Sequence, residues 1–377
     1  MVKIELVDTS NARQVNEFVQ FQYDLYKGVP QFCPPFFNDI KLMLNRKKHP
    51  FYEHSEADFF VARDETGKML GRIAVMENKP FNEYHKVKKV QFYLFECVDD
   101  QEVAKALLDK ATEWAKARGL NEIVGPKGFS AFDGYGILVE GFEHHQMMTM
   151  MNYNFPYYGK LLETEGFSKE VDFVSCYMAS ENFKIPEKAK EISKIVQKRG
   201  TFKVLTFKNR KDMMKRAWDL GLAYNDTFVN NWEYYPLTKG EVKLLLDNLL
   251  VVADPKLIKL IEHEGKIVGF LLAFPDITAA LQRHGGKITP WGMIDMMLEL
   301  KKTKWVSLNG AGVLPEFHGR GGNALLYDEM EKTIREFGFE HAEFTQVAET
   351  AVQMRKDLIN LGGQPYKNHR IFHKALD

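Results

Sequence analysis

The residues of this sequence that could do chemistry are concentrated in one stretch, V-L-P-E-F-H-G-R-G-G-N-A-L-L, from Val313 to Leu326. Gly319, Gly321 and Gly322 stand directly before a predicted helix, so the backbone N–H groups of the loop should converge at a helix N-terminus. Such a terminus favours phosphate or pyrophosphate, and glycine lets the anion approach the backbone closely. Arg320 can add charge-assisted hydrogen bonds. The stretch therefore predicts an anion-binding loop.

The strand before this loop also has an unusual composition. It reads W-V-S-L-N-G-A-G-V, from Trp305 to Val313, and alternates as a strand should, except for glycines at positions 310 and 312. Glycine inside a strand is typical of a bulge or of another group approaching the backbone. We therefore expect something to dock beside the strand near Gly312 and Val313.

A second candidate site is the dense aromatic segment M-M-N-Y-N-F-P-Y-Y, from Met150 to Tyr158. It is either a pocket wall that places amide and phenol groups on a substrate, or a packed loop in a domain interface. The candidate substrate-binding residues are Asn152, Tyr153, Asn154 and Tyr157.

Metal binding and covalent catalysis find no support in the pattern. His144 and His145 are adjacent rather than one helical turn apart, and no carboxylate pair completes a zinc pattern. The three cysteines, Cys33, Cys97 and Cys176, are too far apart for a metal knuckle and too few for a disulfide framework. We expect a reducing compartment and no metal.

Length and charge restrict the class of protein. A chain of 377 residues exceeds the typical size of one domain, about 100 to 200 residues, so two domains are expected. The 51 Lys and Arg residues balance the 51 Asp and Glu residues, which gives no general electrostatic reason for nucleic acid or an anionic membrane as partner. The N-terminus lacks a signal-peptide pattern. We expect a cytoplasmic protein with a small-molecule ligand, and a homodimer stays open.

The chain repeats itself once. Three features recur in the same order: a hairpin glycine at 71 and 269, the first alanine of an A-L-L helix at 106 and 324, and a glycine before the last strand at 166 and 362. The offsets are 269 − 71 = 198, 324 − 106 = 218 and 362 − 166 = 196. Two homologous domains are therefore predicted, 1–195 and 196–377. Each is of the α/β (α+β) class, with a mixed central sheet flanked by helices and a parallel strand pair around its third helix.

The stretch from Val313 to Leu326 resembles the acyl-CoA-binding signature of the GCN5-related N-acetyltransferases, in which arginine or glutamine is followed by x-x-G-x-G or x-x-G-x-A. The resemblance implies a tandem pair of such folds. It also implies an acyl-CoA as co-substrate, with its pyrophosphate on the amides of residues 318–323 and its thioester carbonyl facing Gly312 and Val313. The coenzyme-binding residues implied are Gly312, Val313, His318, Gly319, Arg320, Gly321, Gly322, Asn323 and Ala324.

More narrowly, three segments are similar to an uncharacterised bacterial family of tandem acetyltransferase-like proteins. These are 51–63, 134–143 and 150–158. The first copy departs from the coenzyme pattern, because Asp99, Asp100 and Glu102 stand where glycines would be needed. Carboxylates at a helix start suit the helix dipole but repel pyrophosphate, so the first copy is not expected to bind the coenzyme there.

The second copy departs from the family pattern at four positions. His318 replaces the usual arginine or glutamine, and Asn323 replaces glycine or alanine. The last helix of these enzymes often carries N-x-x-A-x-x-x-Y, whose tyrosine protonates the leaving thiolate. Ala351 stands for that asparagine and Leu358 for that tyrosine, so the usual general acid is missing.

Three functions fit these residues. The first is N-acyl transfer from acyl-CoA to an unknown amine, with Asn309 and Glu349 as weak catalytic candidates. The second is a non-catalytic protein that binds acyl-CoA or another metabolite. The third is aminoacyl transfer from tRNA, as in Fem-type enzymes, which the balanced charge and the lack of a coiled-coil insertion disfavour.

One further helix is ambiguous. Trp291, Met293, Met296 and Met297 fall at helical spacing and either line an acyl channel or, as the residue types favour, pack in the core. The run K-K-T-K that follows, 301–304, is either a solvated face or a contact for the 3′-phosphate of the coenzyme.

Overall fold

The structure, a computed structural model, describes residues 2–130, 133–148, 151–183, 185–229 and 231–376. The strands are β1 (Lys3–Leu6), β2 (Glu56–Arg63), β3 (Met69–Glu77), β4 (Lys89–Cys97), β5 (Glu122–Gly125), β6 (Ile137–Glu140), β7 (Ser168–Ala179), β8 (Lys203–Leu205), β9 (Ile258–His263), β10 (Lys266–Pro275), β11 (Trp305–Val313), β12 (His341–Ala348) and β13 (Gln364–Ala375).

The helices surround these strands and follow the amphipathic segments of the sequence. They are α1 (Ala12–Leu25), α2 (Phe37–Met43), α3 (Lys79–His85), α4 (Gln101–Lys116), α5 (Tyr157–Thr164), α6 (Glu187–Arg199), α7 (Arg210–Met214), α8 (Ala217–Thr227), α9 (Lys239–Val252), α10 (Thr278–His284), α11 (Pro290–Lys302), α12 (Gly322–Phe337) and α13 (Val352–Asn360). Within the described residues, no helix combines the length and the apolar character that crossing a membrane requires.

Contacts divide the chain into two units. Unit 1 comprises Met1–Val174, Ile277–Glu299 and Lys367–Asp377, and unit 2 comprises Ser175–Asp276 and Leu300–Tyr366. Both are mixed α/β units, as the sequence predicts.

Unit 1 is built on the strand order β1-β2-β3-β4-β5-β13. β1 to β4 are antiparallel neighbours, whereas β4 and β5 run parallel and are joined by α4. The apolar face of α4 packs on the sheet through Leu107, Ala111 and Trp114, and the opposite face of the sheet is covered by α1 through Phe18. The predicted hairpin and parallel pair are therefore present in the first repeat.

Unit 2 repeats this order as β8-β9-β10-β11-β12, followed by β7. β8 to β11 are antiparallel neighbours, and β11 and β12 run parallel around α12. The fold class predicted from the sequence is thus confirmed.

The last strands of the two repeats are exchanged between the units. The end of β13 belongs to unit 1, where Phe372 pairs with Gly125 of β5 and is buried in the core. The end of β7 belongs to unit 2, where β7 lies next to β12. The two units therefore do not coincide with the two predicted domains, which meet at residue 195. The predicted boundary separates the two repeats, whereas each unit includes a strand end from both repeats.

The second repeat contains an insertion. Between β3 and β4 the first repeat has only α3, whereas between β10 and β11 the second repeat has both α10 and α11. The first repeat has 11 residues between these strands and the second has 29, so the insertion adds 29 − 11 = 18 of the 20 residues by which the repeat offsets 198 and 218 differ.

Candidate functional site

A split between two parallel strands forms the centre of the candidate site in unit 2. β11 and β12 pair only from Trp305 with His341 to Leu308 with Phe344, and the rest of β11 pairs with β10 alone. Where the strands part, two residues of β11 lie opposite one residue of β10, and Gly310 adopts a φ of 102°. This is a β-bulge, and it leaves the backbone polar groups of 309–313 on the β12 side without a neighbouring strand.

The group that docks beside the bulged strand is α8. A Cβ on Gly310 would lie 3.7 Å from Tyr224 Cε2, and a Cβ on Gly312 would collide with the methyl group of Thr227. The close approach that the two glycines predict is therefore present, and a helix of the protein itself accounts for it.

The loop after β11 folds back on the strand end. Leu314 starts a short 3-10 turn, Pro315–Phe317, and the Nε2 atom of His318 lies 2.7 Å from the Val313 carbonyl oxygen. His318, which departs from the family pattern, thus closes the end of the strand.

The N-terminus of α12 has no side-chain cap. Its N-cap residue is Gly321, at a φ of 85°, and no side chain accepts a hydrogen bond from the first turn. Among the described residues, no acceptor is found for the backbone N–H groups of Gly319, Gly321, Gly322, Asn323 and Ala324. These groups carry the positive end of the helix dipole, so the loop can hold an anion.

The three glycines of the loop have different roles. A Cβ on Gly321 would lie 2.7 Å from Val196 and 2.8 Å from Ile192, because α6 packs on the loop. A Cβ on Gly322 would lie 3.0 Å from Ile261. Packing and a φ of 85° therefore favour glycine at 321, packing at 322 is tight, and the space beside Gly319, at a φ of 73°, is open.

The polar side chains of the loop point to solvent. Arg320 is exposed, its guanidinium lies 5.1 Å from the centre of the Phe317 ring, and no described carboxylate lies within ion-pair distance of it. Asn323 is exposed in the first turn of α12, and Ala324 is half-buried. The loop thus offers a free guanidinium beside the unpaired N–H groups.

The equivalent place in unit 1 is closed. β4 and β5 also part, here after three residue pairs. However, the Asp100 carboxylate caps α4 by accepting hydrogen bonds from the N–H groups of Glu102 and Val103. The backbone of Cys97 is also engaged: the hydroxyl of Tyr157 donates to its carbonyl oxygen at 2.8 Å, and its N–H donates to Tyr158 at 3.1 Å. The side chains of unit 1 itself thus occupy the groups that an acyl-CoA would need.

A buried carboxylate on β12 was not found from the sequence. Glu343 is fully buried and accepts a hydrogen bond from the hydroxyl of Tyr366. It pairs in register with Ser307, one pair before the strands part, so it lies at the apex of the split. Burial, together with the neighbouring Glu343, raises the pKa of Tyr366 far above its ordinary value, so the phenol stays protonated.

One signal in the sequence could have pointed to Glu343. In H-A-E-F-T, residues 341–345, polar residues alternate with Ala342 and Phe344, so His341, Glu343 and Thr345 share one face of the strand. A strand covered on both faces is normally apolar throughout, and a polar face inside a sheet indicates a lined site.

The two catalytic candidates proposed from the sequence lie on different segments, Asn309 in β11 and Glu349 after β12. Asn309 is half-buried in the bulge, and Glu349 is half-buried just beyond β12. No hydrogen bond between them is found in the described residues. Ala351 is the N-cap of α13, and Leu358 on that helix is buried, so a packed apolar side chain stands where the family tyrosine is usual.

The aromatic segment at 151–158 is packed within unit 1; Met150 lies outside the described residues. Asn154 bonds to both backbone groups of Leu138, at 2.6 and 3.1 Å, and Asn152 donates to the Gly136 carbonyl oxygen. Tyr153 is buried against Tyr26. With Tyr157 bonded to β4, all four candidate substrate residues contact other parts of unit 1, and their binding of a substrate stays a prediction.

One group of side chains has the types and spacing of metal ligands among the described residues, Glu122, Glu170 and His373. The Nζ atom of Lys89 lies 3.3 Å from Glu122 and 3.5 Å from Glu170, so an ammonium group already balances the two carboxylates.

The comparisons with known proteins agree with this architecture. No protein-family model matches the sequence. A bacterial ceramide synthase from Caulobacter vibrioides (strain NA1000 / CB15N) is 27% identical over 380 residues, which cover 99% of this chain and 98% of that protein. The protein YghO of Escherichia coli (strain K12) is 25% identical over 372 residues, covering 97% and 94%.

Solved structures establish the fold. A tandem GNAT protein from the clavulanic acid biosynthesis pathway superposes with a TM-score of 0.58 at 10% identity, over 100% of this chain and 99% of that one. A glucosamine N-acetyltransferase region of a fungal β-N-acetylglucosaminidase gives a TM-score of 0.57 at 14% identity, over 99% of this chain and 38% of that one. The chain has the tandem fold of the GCN5-related N-acetyltransferases, as the resemblance of its loop implies.

Proposed function

We propose that the protein is an acyl-CoA-dependent N-acyltransferase that binds its donor in the second repeat and acylates the amino group of a long-chain amino alcohol. The observation that carries the proposal is the pairing of an open strand edge on β11 with an uncapped N-terminus on α12. The first repeat lacks both features, because Asp100 caps its helix and two tyrosines occupy its strand edge.

The chemistry of the donor matches this place. A coenzyme A pyrophosphate carries negative charge, and five N–H groups and Arg320 offer hydrogen bonds, with no described carboxylate within ion-pair distance of Arg320. The open backbone of 309–312 can bond to the amide groups of an extended pantetheine arm in the manner of a strand. Acyl-CoA would supply a thioester whose carbonyl carbon an amine can attack.

The acceptor class comes from the full-length relative. A ceramide is a fatty acid in amide linkage to a long-chain amino alcohol, so a ceramide synthase forms an amide at such an amino group. The match covers nearly the whole of both chains at 27% identity, which supports the same class of acceptor here.

Glu343 and Tyr366 are our candidates for proton handling. When an amine nitrogen forms a bond to the acyl carbon and the carbon–sulfur bond breaks, the nitrogen must lose a proton and the thiolate must gain one. Glu343, at the apex of the split, would accept the proton from the nitrogen and pass it to the leaving thiolate, while Tyr366 orients the carboxylate by its hydrogen bond. Glu343 and Tyr366 would thus take over the proton transfer that the tyrosine performs in the family, because Leu358 stands at the position of that tyrosine.

Donor binding can be tested at Asn323, which is exposed and lies in the first turn of α12. Asn323→Glu places a carboxylate beside the N–H groups and should weaken acyl-CoA binding about tenfold or more. The same substitution favours the helix dipole, so the protein should remain as stable as the wild type. Asn323→Gln is the neutral control and should bind normally. Isothermal titration with acetyl-CoA and a long-chain acyl-CoA measures both.

The outcomes separate the three candidate functions. Binding of acyl-CoA together with acylation of a long-chain amine supports the proposal. Binding without turnover on a broad panel of amines would instead identify a non-catalytic acyl-CoA-binding protein. If neither coenzyme binds and salt-sensitive tRNA binding is found, the donor is an aminoacyl-tRNA and our proposal fails.

A further inference from the structure

Helix α11, in the insertion between β10 and β11, has an apolar face turned to solvent. Its inward face consists of Gly292 and Met296, which are buried. The exposed fractions on the outward face run from 47% to 76%: Trp291 76%, Met293 50%, Ile294 49%, Met297 59% and Leu298 47%. The expectation that this set packs in the core is therefore wrong except for Met296. The inserted helix packs with few residues and exposes most of its large apolar side chains.

The acidic residues of α11 are turned away from this face. Asp295 lies 2.8 Å from Arg283 and 3.0 Å from His284, and Glu299 lies 2.6 Å from Arg283, all on the neighbouring helix α10. On α11 the acidic side chains are thus half-buried while most of the large apolar ones are exposed, the reverse of the usual arrangement of a surface helix.

Helix α10 is anchored firmly and can support α11. Gln282 donates to the carbonyl oxygens of Pro30 and Phe32 at 2.8 and 2.9 Å. The Gly286 carbonyl oxygen accepts from Phe37 N–H at 3.0 Å, and a Cβ on Gly286 would collide with Pro35. The apolar face is therefore held on a fixed support in unit 1.

Lysines stand at both ends of the apolar face. Lys287 precedes α11 and is exposed, with its ammonium group 5.5 Å from the centre of the Phe37 ring. Lys301 and Lys302 end the helix and are exposed. Neither Lys301 nor Lys302 forms an ion pair with a carboxylate in the part of the chain that the structure describes. Positive charge thus borders the apolar face and is not neutralised by the protein.

We propose that this face of α11 docks on the surface of an anionic lipid bilayer. Large apolar side chains enter the headgroup region, Trp prefers that region, and lysines at the border bind anionic headgroups. The proposal rests in part on the proposed function, because a long-chain amino alcohol and a long acyl chain reside in membranes. It departs from the expectation drawn from the balanced charge, because net charge is a sum over the chain and does not reveal a local cluster.

A second copy of the chain fits the face less well. Lysines stand at both ends, so pairing two α11 helices in either direction would bring like charges together. A bilayer with anionic lipids neutralises them instead.

The test is sedimentation of the full-length protein with vesicles of phosphatidylcholine, with and without phosphatidylglycerol. The wild type should bind the anionic vesicles, and salt should weaken the binding. Ile294→Glu with Met297→Glu should lower the bound fraction about tenfold or more on both compositions. Lys301→Gln with Lys302→Gln should lower it only when phosphatidylglycerol is present. Leu6→Glu, at a residue 59% exposed on β1, is the matched control and should bind as the wild type.

Two results would overturn the proposal. One is a wild type that stays in the supernatant with both compositions. The other is a stable dimer that the Ile294→Glu, Met297→Glu variant disrupts, which would make the face an interface between copies. Acyl transfer to a short-chain amine in detergent, where no bilayer is needed, should be unchanged in the Ile294→Glu, Met297→Glu variant. Vesicle binding without any acyl transfer would retain the docking surface and reject the proposed function.

Discussion

The structure identifies a buried carboxylate, Glu343, that the sequence analysis did not propose for the site. Glu349 was proposed from its place after the fifth strand of the repeat, whereas Glu343 is fully buried in that strand and bonded to Tyr366. Burying a carboxylate costs free energy unless it is well bonded, so its place at the apex of the split suggests a role in the reaction.

We expect Glu343→Gln to lower kcat about 100-fold, the lower end of the effect of a general base. Acyl-CoA affinity should be unchanged, because the loop at 318–324 is untouched. Glu349→Gln is the matched control and should keep kcat. Steady-state kinetics and titration of each variant with acyl-CoA provide the two readouts. If instead Glu349→Gln is inactive and Glu343→Gln is not, the candidate chosen from the sequence is the base.

A second residue, His369 on β13, makes unit 1 sensitive to acid. It is buried, and its Nε2 atom lies 2.8 Å from the Asn152 carbonyl oxygen. Burial, with a smaller effect from the charge of Lys367, lowers the pKa of His369 from 6.5 to about 3. Below about pH 6.5 the unfolded chain therefore binds a proton that the folded chain does not bind until about pH 3.

Stability should therefore fall as the pH is lowered through that window, by up to about 1.4 kcal/mol per pH unit from this group. His369→Gln keeps an N–H donor and should make the free energy of unfolding less steep between about pH 6 and about pH 4. His373→Gln, on the same strand but partly exposed, should follow the wild type. Denaturant unfolding at several pH values measures the slopes, and equal slopes for all three proteins would count against His369.

At the scale of elements, the sequence predicted what depends on local pattern. The hairpins that contain Gly71 and Gly269 and the parallel strands around α4 and α12 follow from alternation and amphipathic spacing, and they are present. What depends on long-range packing could not be predicted. Gly321 seemed to make room for a phosphate, yet its Cβ direction is filled by α6, more than 120 residues earlier in the chain.

The same reason explains why the surroundings of other residues could not be predicted. Asn154 and Tyr157 have the types of substrate ligands, and the structure shows them bonded to β6 and β4, so their role toward a substrate stays a prediction. Trp291, Met293, Met296 and Met297 on α11 have the composition of a core. The sequence could not show that all of them except Met296 are exposed, because exposure depends on the elements that surround the helix. Conversely, the sequence shows Glu343 only as part of a polar face of its strand, and its burial and its bond to Tyr366 become evident only from the structure.

At the scale of the whole molecule, the exchange of strand ends means that neither repeat is complete by itself. Unit 1 needs Phe372 of β13 in its core and beside β5. A fragment of residues 1–195 should therefore be poorly folded, because a large core side chain and the pairing of β5 are both missing.

Adding a peptide of residues 364–375 should restore a cooperative thermal transition to this fragment, and the same peptide with Phe372→Asp should not. Circular dichroism on heating follows the transition. If 1–195 alone unfolds cooperatively as a stable monomer, then β7 can take the place of β13 and the exchange is not required for folding.

The exchange of strand ends also has a consequence for how the protein is made. β5 ends at Gly125 and its partner β13 begins at Gln364, so 364 − 125 = 239 residues separate them on the ribosome. At roughly 5 to 20 residues per second, about 12 to 50 seconds pass between the synthesis of the two strands. During that interval the nascent chain carries an open strand edge. Slowing translation or removing chaperones that shield nascent chains should therefore lower the yield of soluble protein.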